Sequence, residues 1–104
     1  DLMLIVSDAS LKSLETAFKI YNLSISMGLK HIFLIGNKVS NNRDKEAILK
    51  FAYSKAINVI GFIPYDYKII ELELYEKSFL NYAFQPETIY AIEEIGEKIL
   101  RLKN

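Results

Sequence analysis

The 104-residue sequence has no cysteine. That absence removes disulfides, thiolate metal sites and thiol chemistry together, and it fits a cytosolic home. Its one histidine, His31, begins an apolar run with no second ligand near it, so zinc lacks a donor set and His31 reads as a surface residue. Charge of one sign is missing too. Thirteen basic residues balance thirteen acidic ones, which leaves no electrostatic footprint for nucleic acid or an anionic membrane. No apolar run approaches the roughly 18–20 residues of a membrane-spanning helix, and no charged leader precedes an apolar segment. The four glycines, Gly28, Gly36, Gly61 and Gly96, are isolated. No Gly-rich loop ending in Lys-Ser/Thr is present to cradle phosphate on its backbone N–H groups.

What is present is ordinary globular composition, 51% apolar and 25% charged, at the size of one small domain. The chain opens on Asp1 and enters a strand-like run at once, as a piece of a longer protein would. That run, Leu2 to Ser7, is continuously apolar up to its last residue and too short for a helix. Lack of alternation suits a strand covered on both faces, the usual state in a parallel sheet. Ser10 is placed to cap a helix on which Leu11, Leu14, Ala17, Phe18 and Tyr21 recur at helical spacing, and Gly28 ends it.

The pattern then repeats. A second strand is expected from His31 to Gly36, and a polar turn at Asn41 and Asn42. Next comes a helix carrying Ile48, Leu49, Phe51 and Ala52, to about Lys55. A third strand, Asn58 to Ile63, stops at Pro64. A short helix is expected from Asp66 to Tyr75, and a last one from Pro86 to about Lys103, with Pro86 in its first turn. The order β-α-β-α-β, with right-handed crossovers, predicts an α/β fold with three parallel strands in one sheet and flanking helices. Three strands make a thin sheet. Leu2–Ser7 has the look of an inner strand, yet nothing in the chain supplies its other neighbour, and an unpaired apolar edge invites another strand.

Ligands of open parallel sheets bind beyond the carboxyl ends of the strands. Here those ends are Ser7-Asp8-Ala9-Ser10, Gly36-Asn37-Lys38 and Pro64-Tyr65-Asp66, and parallel direction puts them on one rim. Each also has a plainer reading. Asp8 and Ser10 suit a helix cap, Asn37 a left-handed turn, and Asp66 a cap for the next helix. Tyr65 and Tyr67 can stack on a base or simply pack. A guanine-reading Asn-Lys motif needs Asp two residues after the Lys, and Ser40 stands there instead. The Asn37 amide can both donate to and accept from the adenine edge, which tilts the local chemistry towards adenine.

Three stretches in this order carry a family resemblance: Leu4-Ile5-Val6-Ser7-Asp8-Ala9-Ser10-Leu11-Lys12-Ser13-Leu14-Glu15-Thr16-Ala17, then Leu34-Ile35-Gly36-Asn37-Lys38-Val39, then Val59-Ile60-Gly61-Phe62-Ile63-Pro64-Tyr65-Asp66. Together they resemble the latter half of the MinD/ParA-type ATPases. They most resemble the CooC-like branch, ATP-dependent accessory proteins for nickel insertion into carbon monoxide dehydrogenase. The similarity continues through Glu71–Asn81 and the final helix. It implies a P-loop fold of Rossmann-like, three-layer form in which Asn37 contacts adenine and Pro64-Tyr65-Asp66 packs along the base. It also implies that Asp8–Ser10 lies near the nucleotide and the dimer contact. Many relatives have Asp-Pro-Ser where this chain has Asp-Ala-Ser.

The resemblance thus implies ATP or ADP as ligand, with Mg²⁺ in an intact parent, a homodimer, and a metalloenzyme client. The phosphate loop, the acidic switch segments and the Cys-x-Cys metal site of the CooC-like branch would lie upstream of Asp1. The expected nucleotide-binding set is Asp8, Ser10, Asn37, Lys38, Pro64, Tyr65 and Asp66, with no catalytic or metal-binding residue and no hydrolysis by this chain alone. Two other classes stay open. One is a small interaction module that self-associates through its exposed strand. The other is a membrane anchor formed by Ile89, Ile92, Ile99 and Leu100, against which Glu87, Glu93, Glu94 and Glu97 weigh.

Overall fold

The computed structural model describes residues 2–66 and 86–102. Strands β1 (Leu2–Ser7), β2 (His31–Val39) and β3 (Asn58–Pro64) form one sheet in the order β1-β2-β3, and both pairings are parallel. Helix α1 (Leu11–Ser26) crosses from β1 to β2, and α2 (Asn42–Ser54) from β2 to β3. Helix α3 (Pro86–Leu102) completes the described elements. The expected helix over Asp66–Tyr75 lies outside the described residues, Asp66 excepted, as does Tyr67.

Alternation of side chains along each strand sends two sets of residues to opposite faces. On one face Ile5 and Leu34 form a core with Leu14 and Ala17 of α1 and Ile48 and Ala52 of α2. On the other, Ile35 and Ile60 pack with Ile95 of α3, bordered by Leu4, Phe33, Ile63 and Ile99. The sheet is therefore covered on both sides, as the unbroken apolar runs require. Cover on the second side is incomplete, because Val6 at the β1 edge remains 55% exposed.

Both crossover helices start where their capping residues dictate. Ser10, in an extended conformation, accepts a hydrogen bond from the Ser13 N–H at 3.2 Å. Asn41 accepts from the Asp44 N–H at 2.9 Å, and Asp44 in turn accepts from the Ser40 N–H at 2.9 Å. The first bond satisfies an N–H that the helix end otherwise leaves bare, and the second ties the residue before the cap to the first turn. Gly28 closes α1 with φ +86°, a left-handed backbone that a Cβ would strain.

One boundary differs from expectation. The second strand does not stop at Gly36 but continues to Val39 through an irregularity. Gly36 pairs with Phe62 and Val39 with Pro64, so Asn37 and Lys38 together stand opposite the single residue Ile63. Lys38 takes the left-handed φ of +54°. This is a β-bulge, a device that re-aims side chains at a strand end. The sequence showed where the apolar run ended, but pairing resumes one bulge later because the β3 backbone is there to receive it.

Candidate functional site

The bulge gives the carboxyl rim of the sheet its shape. β2 is the central strand, so Asn37 and Lys38 stand between Asp8 on one side and Pro64-Tyr65 on the other. Ser7 pairs with Gly36 and Gly36 with Phe62, beyond which β2 and β3 run on to the Val39–Pro64 pair, so the three strands end on one rim with β1 the shortest. Gly36 is required beneath the bulge by close approach. A Cβ there would lie 2.6 Å from Phe62 Cδ1 and 2.9 Å from Ile48 Cδ1, closer than packed atoms tolerate.

On the β1 side, a short polar network fixes the turn into α1. The Ser7 hydroxyl donates to the Asp8 carbonyl at 2.9 Å and lies 2.9 Å from the Ser13 hydroxyl. Ser13 Oγ also accepts from the Asp8 N–H at 3.3 Å. The Asp8 carboxylate accepts from the Ser10 N–H at 2.8 Å. Hydrogen bonds from the Ser10 hydroxyl and backbone hold the Asp8 carboxyl below its ordinary pKa. Partial burial opposes them, and the Lys38 ammonium adds to the lowering. Lys38 therefore acts electrostatically on Asp8 across the gap between two strand ends.

In the middle, the Asn37 side chain is half-buried and makes no hydrogen bond to another described residue. Its amide retains donor and acceptor capacity at the position where the strands end. On the β3 side, the Tyr65 N–H donates to the Val39 carbonyl at 2.9 Å, so the loop after β3 is tied to the end of β2. The Tyr65 side chain is exposed.

Six of the seven residues expected at the site, Asp8, Ser10, Asn37, Lys38, Pro64 and Tyr65, lie at or just beyond the carboxyl ends of the three strands. Asp66 follows Tyr65 at the same strand end, with its side chain buried. It is 3% exposed, and its carboxylate accepts a hydrogen bond from the Thr88 hydroxyl of α3 at 2.9 Å. Its expected alternative as a cap for a helix over 66–75 falls on residues outside the described ones. Two contributors went unread in the sequence. Ser13 looked like an ordinary helix residue, and only its position six residues after Ser7 hinted at the contact. Thr88 lies 22 residues beyond Asp66 and carried no signal beyond its place in the turn that Pro86 begins.

Among the described residues no group of three or more His, Asp or Glu side chains is gathered as a metal site. No described helix is long and apolar enough to cross a membrane. His31 is exposed at the start of β2, remote from the rim.

No family model matches the chain. Two uncharacterized ATP-binding proteins of Methanocaldococcus jannaschii are similar to it. One is 37% identical over 105 residues, spanning 100% of this chain and 39% of the relative. The other is 33% identical over 105 residues, spanning 99% of this chain and 41% of the relative. The chain therefore corresponds to about two-fifths of the length of these curated relatives. Among solved structures, the MinD cell division protein of Aquifex aeolicus superposes with a TM-score of 0.72 at 20% identity, covering 96% of this chain and 44% of that one. At that identity the likeness establishes the fold, the parallel α/β arrangement of MinD-like P-loop NTPases.

Proposed function

We propose that this chain is the base-recognising, C-terminal portion of an ATP-binding protein of MinD/ParA type. The observation that carries the reading is the rim itself, with an uncommitted Asn37 amide in a bulge between Asp8 and the tied loop Pro64-Tyr65. Asn37 would hydrogen-bond the adenine edge in both directions. The backbone and ring of Tyr65, with Pro64, would pack along the base. Asp8 and Ser10 would form the opposite lip, and Lys38 would balance Asp8. Similarity to two proteins described as ATP-binding, over a span that leaves most of their length unaccounted for, supports the reading.

Phosphate and Mg²⁺ would be held by parts outside these 104 residues. Phosphoryl transfer is positioning and charge stabilisation around the phosphates, so the chain alone would not hydrolyse ATP. The bare β1 edge would receive the adjoining part of the same domain. At a finer level we assign the parent to the CooC-like branch, a cytoplasmic homodimer that serves a nickel metalloenzyme. The support for that step is the order of the quoted stretches in the sequence.

Titration calorimetry tests the proposal. The 104-residue chain should bind Mg-ATP far more weakly than micromolar, and the complete protein should bind it tightly and in preference to GTP. Submicromolar binding by the chain alone would contradict a divided site. The exposed β1 edge also favours a second reading, a self-associating module. Light scattering that shows a stable dimer with no adenine affinity in the complete protein would select it.

A further inference from the structure

Asp66 is an acidic side chain almost wholly withdrawn from water. A buried carboxylate is costly unless it is hydrogen-bonded, and its Oδ2 accepts from the equally buried Thr88 hydroxyl at 2.9 Å. Thr88 lies in the first turn of α3, two residues after Pro86, where the helix dipole favours negative charge. One residue before Asp66, the Tyr65 N–H is bound to the carbonyl of Val39, the residue that follows Lys38. The loop is therefore fastened at two adjacent points, by its backbone to the end of β2 and by a side chain to α3. Helix α3 is itself seated firmly: Ile95 fills the space that a Cβ at Gly61 would need, and Ile99 borders the same cluster.

We propose that Asp66 and Thr88 are positioning residues for the base groove, setting the separation between Pro64-Tyr65 and Asn37 without touching the nucleotide. This rests on the adenine reading above. Loss of the Asp66–Thr88 bond would remove one of the ties that hold the loop beside Tyr65, and the wall that Tyr65 forms would loosen. The phosphates, held elsewhere, would not sense that change. Loss of the Thr88 hydroxyl should thus act on recognition of the base alone.

The experiment compares ATP with inorganic triphosphate, which has no base, on the complete protein by calorimetry. Thr88→Val keeps the side-chain volume and removes the donor. It should weaken ATP binding about five- to tenfold, the worth of one hydrogen bond, and leave triphosphate binding unchanged. Thr88→Ser should restore ATP affinity. Equal weakening of both ligands, or no change in ATP binding, would overturn the proposal. Should Thr88→Val not fold, Thr88→Ser and Thr88→Ala differ only in the hydroxyl and give the same contrast. Wild-type protein that binds ATP no better than triphosphate would instead refute the adenine reading itself.

Discussion

Val6 and Ile35 are register partners on adjacent strands and point to the same face, yet Val6 is 55% exposed and Ile35 only 6%. One strand further, Ile35 pairs with Gly61, whose missing side chain makes room for Ile95 of α3. A single row across the sheet thus runs from bare to closed. Cover follows α3, which packs on β3 and the inner strand; on β1 it leaves Leu4 half-buried and Val6 exposed. The β3 side has a further guard. Lys98 Nζ donates to the carbonyl of Ile60 at 3.0 Å, and Ile60 is the residue passed over in the register with β2. A lysine reaching an edge backbone discourages pairing with another strand. Among the described residues β1 has no such guard, and its exposed side chains Leu2 and Val6 are apolar. Among the described residues one edge carries a guard and the other does not, which fits the proposal that the sheet continues past β1.

The comparison can be broken most forcefully at Gly61. A Cβ there would lie 2.5 Å from Ile95 Cγ1, so Gly61→Ala should lift α3 and cost about 1–3 kcal/mol in chemical denaturation. A neutral result would mean that α3 is not seated as described. Next comes the guard. Lys98→Met removes the donor to Ile60 and should cost about 1 kcal/mol, with self-association rising in light scattering. An unchanged monomer would deny Lys98 its protective part. On the open side, Val6→Lys should shift the stability of this chain by no more than about 0.5 kcal/mol, since the site is exposed. In a complete protein whose sheet continues past β1, the same substitution should be severely destabilising. Equal effects in both would erase the distinction between the two edges.

The smallest effect is expected at Asp8. Its folded-state pKa lies below the unfolded value, so its contribution to stability is present above the ordinary carboxylate pKa of about 3.9. It is lost as pH falls through the lower folded value. Asp8→Asn should therefore flatten the acid limb of the stability profile while leaving neutral pH nearly unchanged. A profile identical to wild type below pH ~4 would show that the Ser10 hydrogen bonds and Lys38 do not act on it.

Much of the architecture could be read from local patterns. Leu2–Ser7 was recognisable because a six-residue run is too short for a helix and too uniform for a half-exposed strand. Ser10 was recognisable as a cap because it precedes a helical apolar stripe, and it does cap α1. Strand direction followed from crossover length, and with it the shared rim of Asp8, Asn37 and Tyr65. These are properties of periodicity and chain reach, which a sequence carries in consecutive residues.

Three features were settled only in the folded chain. The second strand runs on to Val39 because the backbone of β3 pairs beyond the bulge, a partner that no local pattern reveals. Val6 is exposed although its apolar run resembles a covered strand, because α3 lies over β3 rather than β1. Asp66 turns from the rim to Thr88, since a buried carboxylate goes to whatever donor the tertiary packing brings near. Periodicity and capping are local and survive in the order of residues. Cover, bulge register and the partner of a buried charge depend on contacts between segments far apart in the chain, and those exist only once it has folded.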